Sequence, residues 1–336
     1  MMQRRDFITL LGGAAAAWPL AARAQQAGMP VIGFLNSQPL GPFAERLARF
    51  HRGLKEGGFV EGANLAVEYR WADSHEDRLP ALAADLVGRK VKVIAGLDST
   101  QAVLAAKAAT TTIPIVFQIG GDPVRNRLVE NLGHPGGNVT GVSGMSNALG
   151  PKRLGLLHDL LPNAATVAVL INPSNPNAEP DVKALQDAAV SLGMTIKVLP
   201  VRNEREIDAF FATLAREHIP AFITSPATLF TARREQIAAL ATYNGIAGIS
   251  PARDDVDAGL LVSYGSDTID NWRLAGVYVS RILKGEKPAD LPILQPTKFQ
   301  LVINLKTAKA LGLEVSQDVL SIADEVIQLG LLCCTA

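Results

Sequence analysis

Two apolar runs, VIGFLN (Val31–Asn36) and VAVLIN (Val167–Asn172), each stop at an asparagine. Apolar runs of this length without polar alternation describe strands buried on both faces. Helical spacing follows the first, where Phe43–Glu56 sets Leu47, Phe50 and Leu54 on one side. Leu65–Trp71 then alternates as a strand, Leu79–Val87 is helical, Val91–Ala95 a strand, Thr100–Ala109 an alanine-rich helix and Ile113–Phe117 a strand. Around the second run, Thr166–Ile171 is a strand, Ala178–Leu192 a helix, Thr195–Pro200 a strand and Glu204–Glu217 a helix. Ala221–Thr224, Arg233–Thr242 and Gly245–Ile249 continue the series. Strands alternating with helices imply a parallel sheet covered on both faces.

The pattern is present twice. Helix ends at Gly58 and Gly193 correspond, and AGLDSTQA around Ser99 corresponds to ITSPATLF around Ser225. The expected fold is α/β, with two doubly wound parallel-sheet lobes joined by a three-strand hinge. Gly133–Met145, rich in glycine, reads as turn or hinge material. A second crossing is expected near Leu260–Gly265 and a third near Pro296. Asp267–Leu283 is a strong helix, Pro288–Pro296 an extended loop, Phe299–Asn304 a strand and Leu305–Leu311 a short helix. The expected division is 30–143 plus 266–328 for the first lobe and 144–265 for the second, with 329–336 a tail of no assigned role.

Ahead of the first strand, Arg4-Arg5 precede Asp6-Phe7-Ile8, an apolar run extends from Ile8 to Leu20, and Ala22-Arg23-Ala24 closes the segment. Residues 1–24 have the layout of an export signal, twin-arginine-like although Gln3 and Thr9 replace the favoured Ser and Lys. About 13 apolar residues fall short of the ~20 that span a bilayer. The expectation is an exported chain, soluble in the periplasm after cleavage.

Lysine plus arginine (32) balance aspartate plus glutamate (32), so no charge footprint points to nucleic acid or an anionic membrane. The only cysteines, Cys333 and Cys334, are adjacent, which excludes a disulfide framework and a cysteine metal site in the body. His51, His75, His134, His158 and His218 share no metal-ligand spacing. The chain has no G-x-S-x-G, S-x-x-K, P-loop, H-E-x-x-H, or G-x-G-x-x-G after the first strand. No enzyme, metal or cofactor is expected.

Ligands of open parallel sheets bind beyond the carboxyl ends of the strands. That rule selects loops carrying Asn36, Ser37, Asp98, Ser99, Thr100, Gln118 and Asp122 in the first half. In the second half it selects Asn172, Ser174, Ser225 and Ala227, with Pro251–Asp254 as a further loop, and Tyr264 at the second crossing. Hydroxyls beside helix N-termini, at Ser99, Thr100 and Ser225, suit a carboxylate, and Asp122 suits an ammonium group. The same residue types are favoured as N-caps and turns without any ligand.

The segments VIGFLNS, GLDSTQA, PIVFQIGGDPV, LVENLGHPGGNVTGVSG, VLINPSNP, YGSD (Tyr264–Asp267), RILKGEKPADLP and KFQLVINLKTAKALGL resemble the substrate-binding proteins of ABC transporters with the type I periplasmic binding fold. The likeness is to the group associated with tryptophan and tyrosine uptake, and it spans nearly all of residues 30–328. It implies a ligand held between two lobes, with Asn36, Ser99, Thr100, Asp122, Asn172, Ser225 and Tyr264 carried over as site positions. It further implies a monomer that delivers an amino acid or a small aromatic or carboxylated metabolite to an ABC permease. A ligand-sensing role in a signalling system is the alternative.

Overall fold

The computed structural model describes residues 28–328; the expected export signal and the tail with Cys333 and Cys334 lie outside the described residues. The first sheet contains β1 (Val31–Asn36), β2 (Ala66–Trp71), β3 (Ile94–Leu97), β4 (Ile115–Ile119) and β5 (Val139–Ser143), in the order β2-β1-β3-β4-β5, all parallel. The second contains β6 (Thr166–Ile171), β7 (Thr195–Pro200), β8 (Ala221–Thr224), β9 (Ala247–Ser250) and β10 (Val262–Gly265), in the order β10-β9-β8-β6-β7. Read from the other edge, that is the first winding shifted by five strands, as a duplicated unit requires. Both follow the doubly wound plan, whose strand-end crevice is the usual ligand site.

Helices α1 (Ala44–Glu56), α2 (Leu79–Gly88) and α3 (Thr100–Ala109) connect the early strands of the first lobe. In the second lobe, α4 (Gly150–Leu160) precedes β6, and α5 (Ala178–Leu192), α6 (Glu204–Arg216), α7 (Thr228–Ala232), α8 (Arg234–Tyr243) and α9 (Arg253–Asp257) lie between the strands. Each sheet has an apolar layer on both faces. In the first lobe Phe34, Phe50, Leu54 and Trp272 fill one and Leu35, Leu86, Val103 and Phe117 the other. Ile171, Leu185 and Ile223 lie on one side of the second sheet, and Leu170, Phe211 and Phe222 on the other. Complete burial of each such side chain contributes about 1.5–3 kcal/mol.

The chain passes between lobes three times: after β5, between β10 and α10 (Thr268–Leu283), and between Leu294 and β11 (Gln300–Asn304). Helix α10 returns to the first lobe and packs on α1. At that crossing a Cβ on Gly53 would stand 1.9 Å from the Arg273 carbonyl oxygen, and one on Gly276 would stand 2.2 Å from that of Phe50. Only glycine admits so close an approach.

The expected division placed all of 266–328 in the first lobe, and the structure corrects this. Residues 268–294 lie there, but β11 pairs antiparallel with β10, and β12 (Glu325–Ile327) pairs parallel with β11, extending the second sheet. The chain re-enters that lobe from the hinge, so β11 runs against its neighbour. Gly133–Met145 is also more than a hinge, because Val139–Ser143 forms the β5 edge of the first sheet. Between them α11 (Leu305–Ala310) and α12 (Gln317–Ser321) complete the second lobe.

Candidate functional site

The two sets of strand ends face each other across a cleft. With the lobes this close, the cavity between them is about 60 Å³, room for a few waters, so a solute of amino-acid size is admitted only as the lobes part. Asp98, Thr100, Gln118, Ser225 and Ala227, all expected from the sequence, line it. Asp98 follows β3 with φ at +58°, a left-handed conformation that non-glycine residues adopt at a cost. Gln118 secures it there: the Asp98 N–H donates to the Gln118 carbonyl oxygen (2.7 Å) and side-chain Oε1 (3.2 Å).

The remaining expected residues have other work. Asn36 Nδ2 donates to the Leu97 carbonyl (2.7 Å) and its Oδ1 accepts from Gln38 N (2.9 Å), tying β1 to β3. Ser37 is fully buried, but outside the cavity. Ser99 Oγ accepts from Ala102 N as the cap of α3. Asp122 Oδ1 accepts from Val124 N and Arg125 N, and its residue lines a separate pocket beside the hinge. Asn172 Oδ1 accepts from Ser174 N, and both residues line a groove at the outer rim. Tyr264 packs its ring on Phe299 at the crossings. Residues with free carbonyls or amides at a turn satisfy the backbone first, which is why these polar side chains are spent locally.

Arg46, which no motif singled out, spans the cleft. It is 2% exposed and pairs with Asp98 of its own lobe and with Asp254 of the other, donating from Nη2 to Asp254 Oδ2 at 2.9 Å. Burial alone disfavours its charge, but the two carboxylates hold the guanidinium firmly protonated. The Trp272 indole N–H donates to Asp98 Oδ2 (3.1 Å). Further bonds across the gap run from Thr228 Oγ1 to the Asp98 carbonyl (2.7 Å), from Gln101 Nε2 to the Ser174 carbonyl (3.1 Å), and from Arg234 to the Pro42 carbonyl (3.1 Å).

At the hinge, buried Arg153 donates to the carbonyls of Ser146 (2.7 Å) and Tyr264 (3.2 Å), joining two crossings through one side chain. Burial lowers its pKa to about 10, against the pull of Asp181. Asp181 is pushed up to about 6 by burial, opposed by the Asn147 amide and by Arg153.

Three buried oxygens of cavity-lining residues have no hydrogen-bond partner in the protein: Asp255 Oδ1, Thr224 Oγ1 and Asn177 Oδ1. Buried polar groups are nearly always paired, so orphans on several residues around one cavity mark a place where a ligand or solvent is accommodated. Asp255 was missed by one residue, since the loop expectation ended at Asp254.

A bilobed shell with polar strand ends around a central cleft defines a solute-binding protein of the periplasmic type I plan. The chain belongs to the ABC transporter substrate binding protein family, whose sequence profile matches residues 44–327. It is similar to a tyrosine-binding protein of Clostridioides difficile, 27% identical over 265 residues, 79% of this chain and 76% of that one. Among solved structures it resembles an ABC domain from Streptococcus pneumonia in complex with L-Trp, at 24% identity and TM-score 0.80, covering 89% of this chain and all of that one. A ligand-free, open substrate binding protein from Clostridium difficile is 25% identical with TM-score 0.62, over 89% of this chain and 99% of that one.

Proposed function

We propose that this protein works outside the cytoplasm as the solute-binding component of an ABC importer, closing its lobes over a small molecule and presenting it to a membrane permease. The observation that carries this is the interlobe cavity, lined from both lobes by residues that include buried polar atoms no protein group satisfies. The relatives that bind tyrosine and tryptophan support an amino acid or a compact aromatic or carboxylated metabolite as the solute. Phe230, Pro226 and Pro251 supply apolar walls, while Thr100, Gln101 and Ser225 offer polar groups for its head. Binding works by population shift: a solute that contacts both lobes favours the closed state by its differential affinity. The solute leaves as it came, and the protein acts as a monomer. No helix among the described residues is long and apolar enough to cross a membrane.

Thermal denaturation against a panel of amino acids, aromatic acids and small carboxylates tests this. A binding solute at about 100 times its Kd adds roughly 2.7 kcal/mol and raises the midpoint by several degrees. A panel without effect, together with stabilisation by a partner protein, would contradict the proposal.

A further inference from the structure

The unpartnered buried side-chain atoms of the cavity-lining residues are all oxygens. Asp255 is 7% exposed and Asn177 1% exposed, and the unpartnered oxygen of each can only accept while Asp255 is ionised. The orientation of the Asn177 amide is fixed by a relay. Asn175 Nδ2 donates to the Pro226 carbonyl, which leaves Asn175 Oδ1 to accept from Asn177 Nδ2 (3.1 Å) and leaves Asn177 Oδ1 as an acceptor without a partner. Thr224 Oγ1 can accept as well.

Charge points the same way. Among the described residues, Arg46 is the single basic side chain lining the cavity, and Asp98 and Asp254 already occupy it. A solute carboxylate therefore finds no free cation, whereas Asp255 lines the cavity with Asp254 beside it in sequence. We infer that the solute is recognised through a protonated amine, received by Asp255 Oδ1, with Asn177 and Thr224 as further acceptors, and that a carboxylate on the solute is secondary. This rests on the reading of the cleft as a solute site. It also moves the ammonium partner from Asp122, whose carboxylate is engaged in its own turn, to Asp255.

The groups acting on Asp255 give a signature. Burial pushes its carboxyl up to about 7; Arg46 opposes this, Asp254 adds to it, and a hydrogen bond from the Ser250 hydroxyl and the charge of Arg234 oppose it. A cationic amine pairs with the ionised form, so binding releases protons near neutral pH, and affinity rises as pH passes upward through the carboxyl's range.

Calorimetric titration of the full chain with matched probes tests the inference: L-tryptophan and L-tyrosine, the amines tryptamine and tyramine, and the acids 3-indolepropionate and 3-(4-hydroxyphenyl)propionate. At least one amine-bearing probe is expected to bind ~100-fold more tightly than its amine-free counterpart. Its affinity should be ~10-fold higher at pH 8 than at pH 6. Asp255→Asn should lose ~100-fold in that affinity while its melting midpoint at pH 8 is equal to or above that of the wild type. Acids that bind as tightly as the amines, or an Asp255→Asn protein that binds amines normally, would overturn the inference and leave solute binding intact. If none of the six binds, broadening the same titration to sugars and polyols separates the cases. Binding there overturns the amine alone, and silence throughout overturns both readings.

Discussion

At the scale of single residues, Arg46 and Asp255 carry most of the account. Arg46 is a buried guanidinium shared by carboxylates of both lobes, and removing one member of such a network leaves charges without a partner. Arg46→Ala should therefore destabilise the closed protein by about 3–5 kcal/mol, read by chemical denaturation and by weaker solute binding. Arg46→Lys should fall between, because a single ammonium cannot reproduce the guanidinium fork. Asp255 acts in the opposite sense. Its folded-state carboxyl, near 7, lies above the ordinary aspartate value of 3.8, so between those values the folded protein holds a proton that the unfolded chain releases. Stability contributed by that proton is present at acid pH and is lost as pH rises through about 7. Asp255→Asn should flatten this slope and raise stability at pH 8 by roughly 1–3 kcal/mol, measured by denaturation across pH 4–8. The sequence marked Asp98, Thr100, Gln118, Ser225 and Ala227 because polar residues at strand ends are visible in a run of letters. It did not mark Arg46 or Asn177. An arginine on a helix and an asparagine in a turn look ordinary until the second lobe arrives.

Among the elements, the α1–α10 crossing is the tightest join in the first lobe. Gly276→Ala would force a Cβ to within 2.2 Å of the Phe50 carbonyl oxygen, so the helices must separate. A loss of at least ~3 kcal/mol or outright unfolding is expected, followed by circular dichroism on heating. The α3 cap gives a milder case: Ser99→Ala removes an oxygen bonded to Ala102 N and should cost about 1 kcal/mol, with solute affinity little changed. A large loss of affinity in Ser99→Ala would instead place that hydroxyl on the solute. Periodicity found most strands and helices because buried parallel strands are unbroken apolar runs. It failed at VTGVS, the β5 strand, where small and hydroxyl residues suit an edge pinned against Phe117 and the Leu294 crossing. The helix Gly150–Leu160 also escaped notice, its start masked by Gly150 and Pro151.

For the molecule as a whole, duplication was legible because two similar strand-end asparagines and two serine-bearing loops repeat in order. The return of β11 and β12 to the second sheet was not, since nothing in a strand's own letters says which edge it joins. The lobes are held together here by Arg46, by Thr228 on the Asp98 carbonyl and by Gln101 on the Ser174 carbonyl. These few polar bonds hold the lobes while leaving them separable, as reversible capture demands. Hydrogen exchange with and without a stabilising solute reports whether both lobes close on it together. Simultaneous new protection is expected at residues 98–101 of the first lobe and 224–228 and 251–255 of the second. Protection confined to one lobe, or to the pocket around Asp122 and Asp181 beside the hinge, would contradict that joint closure.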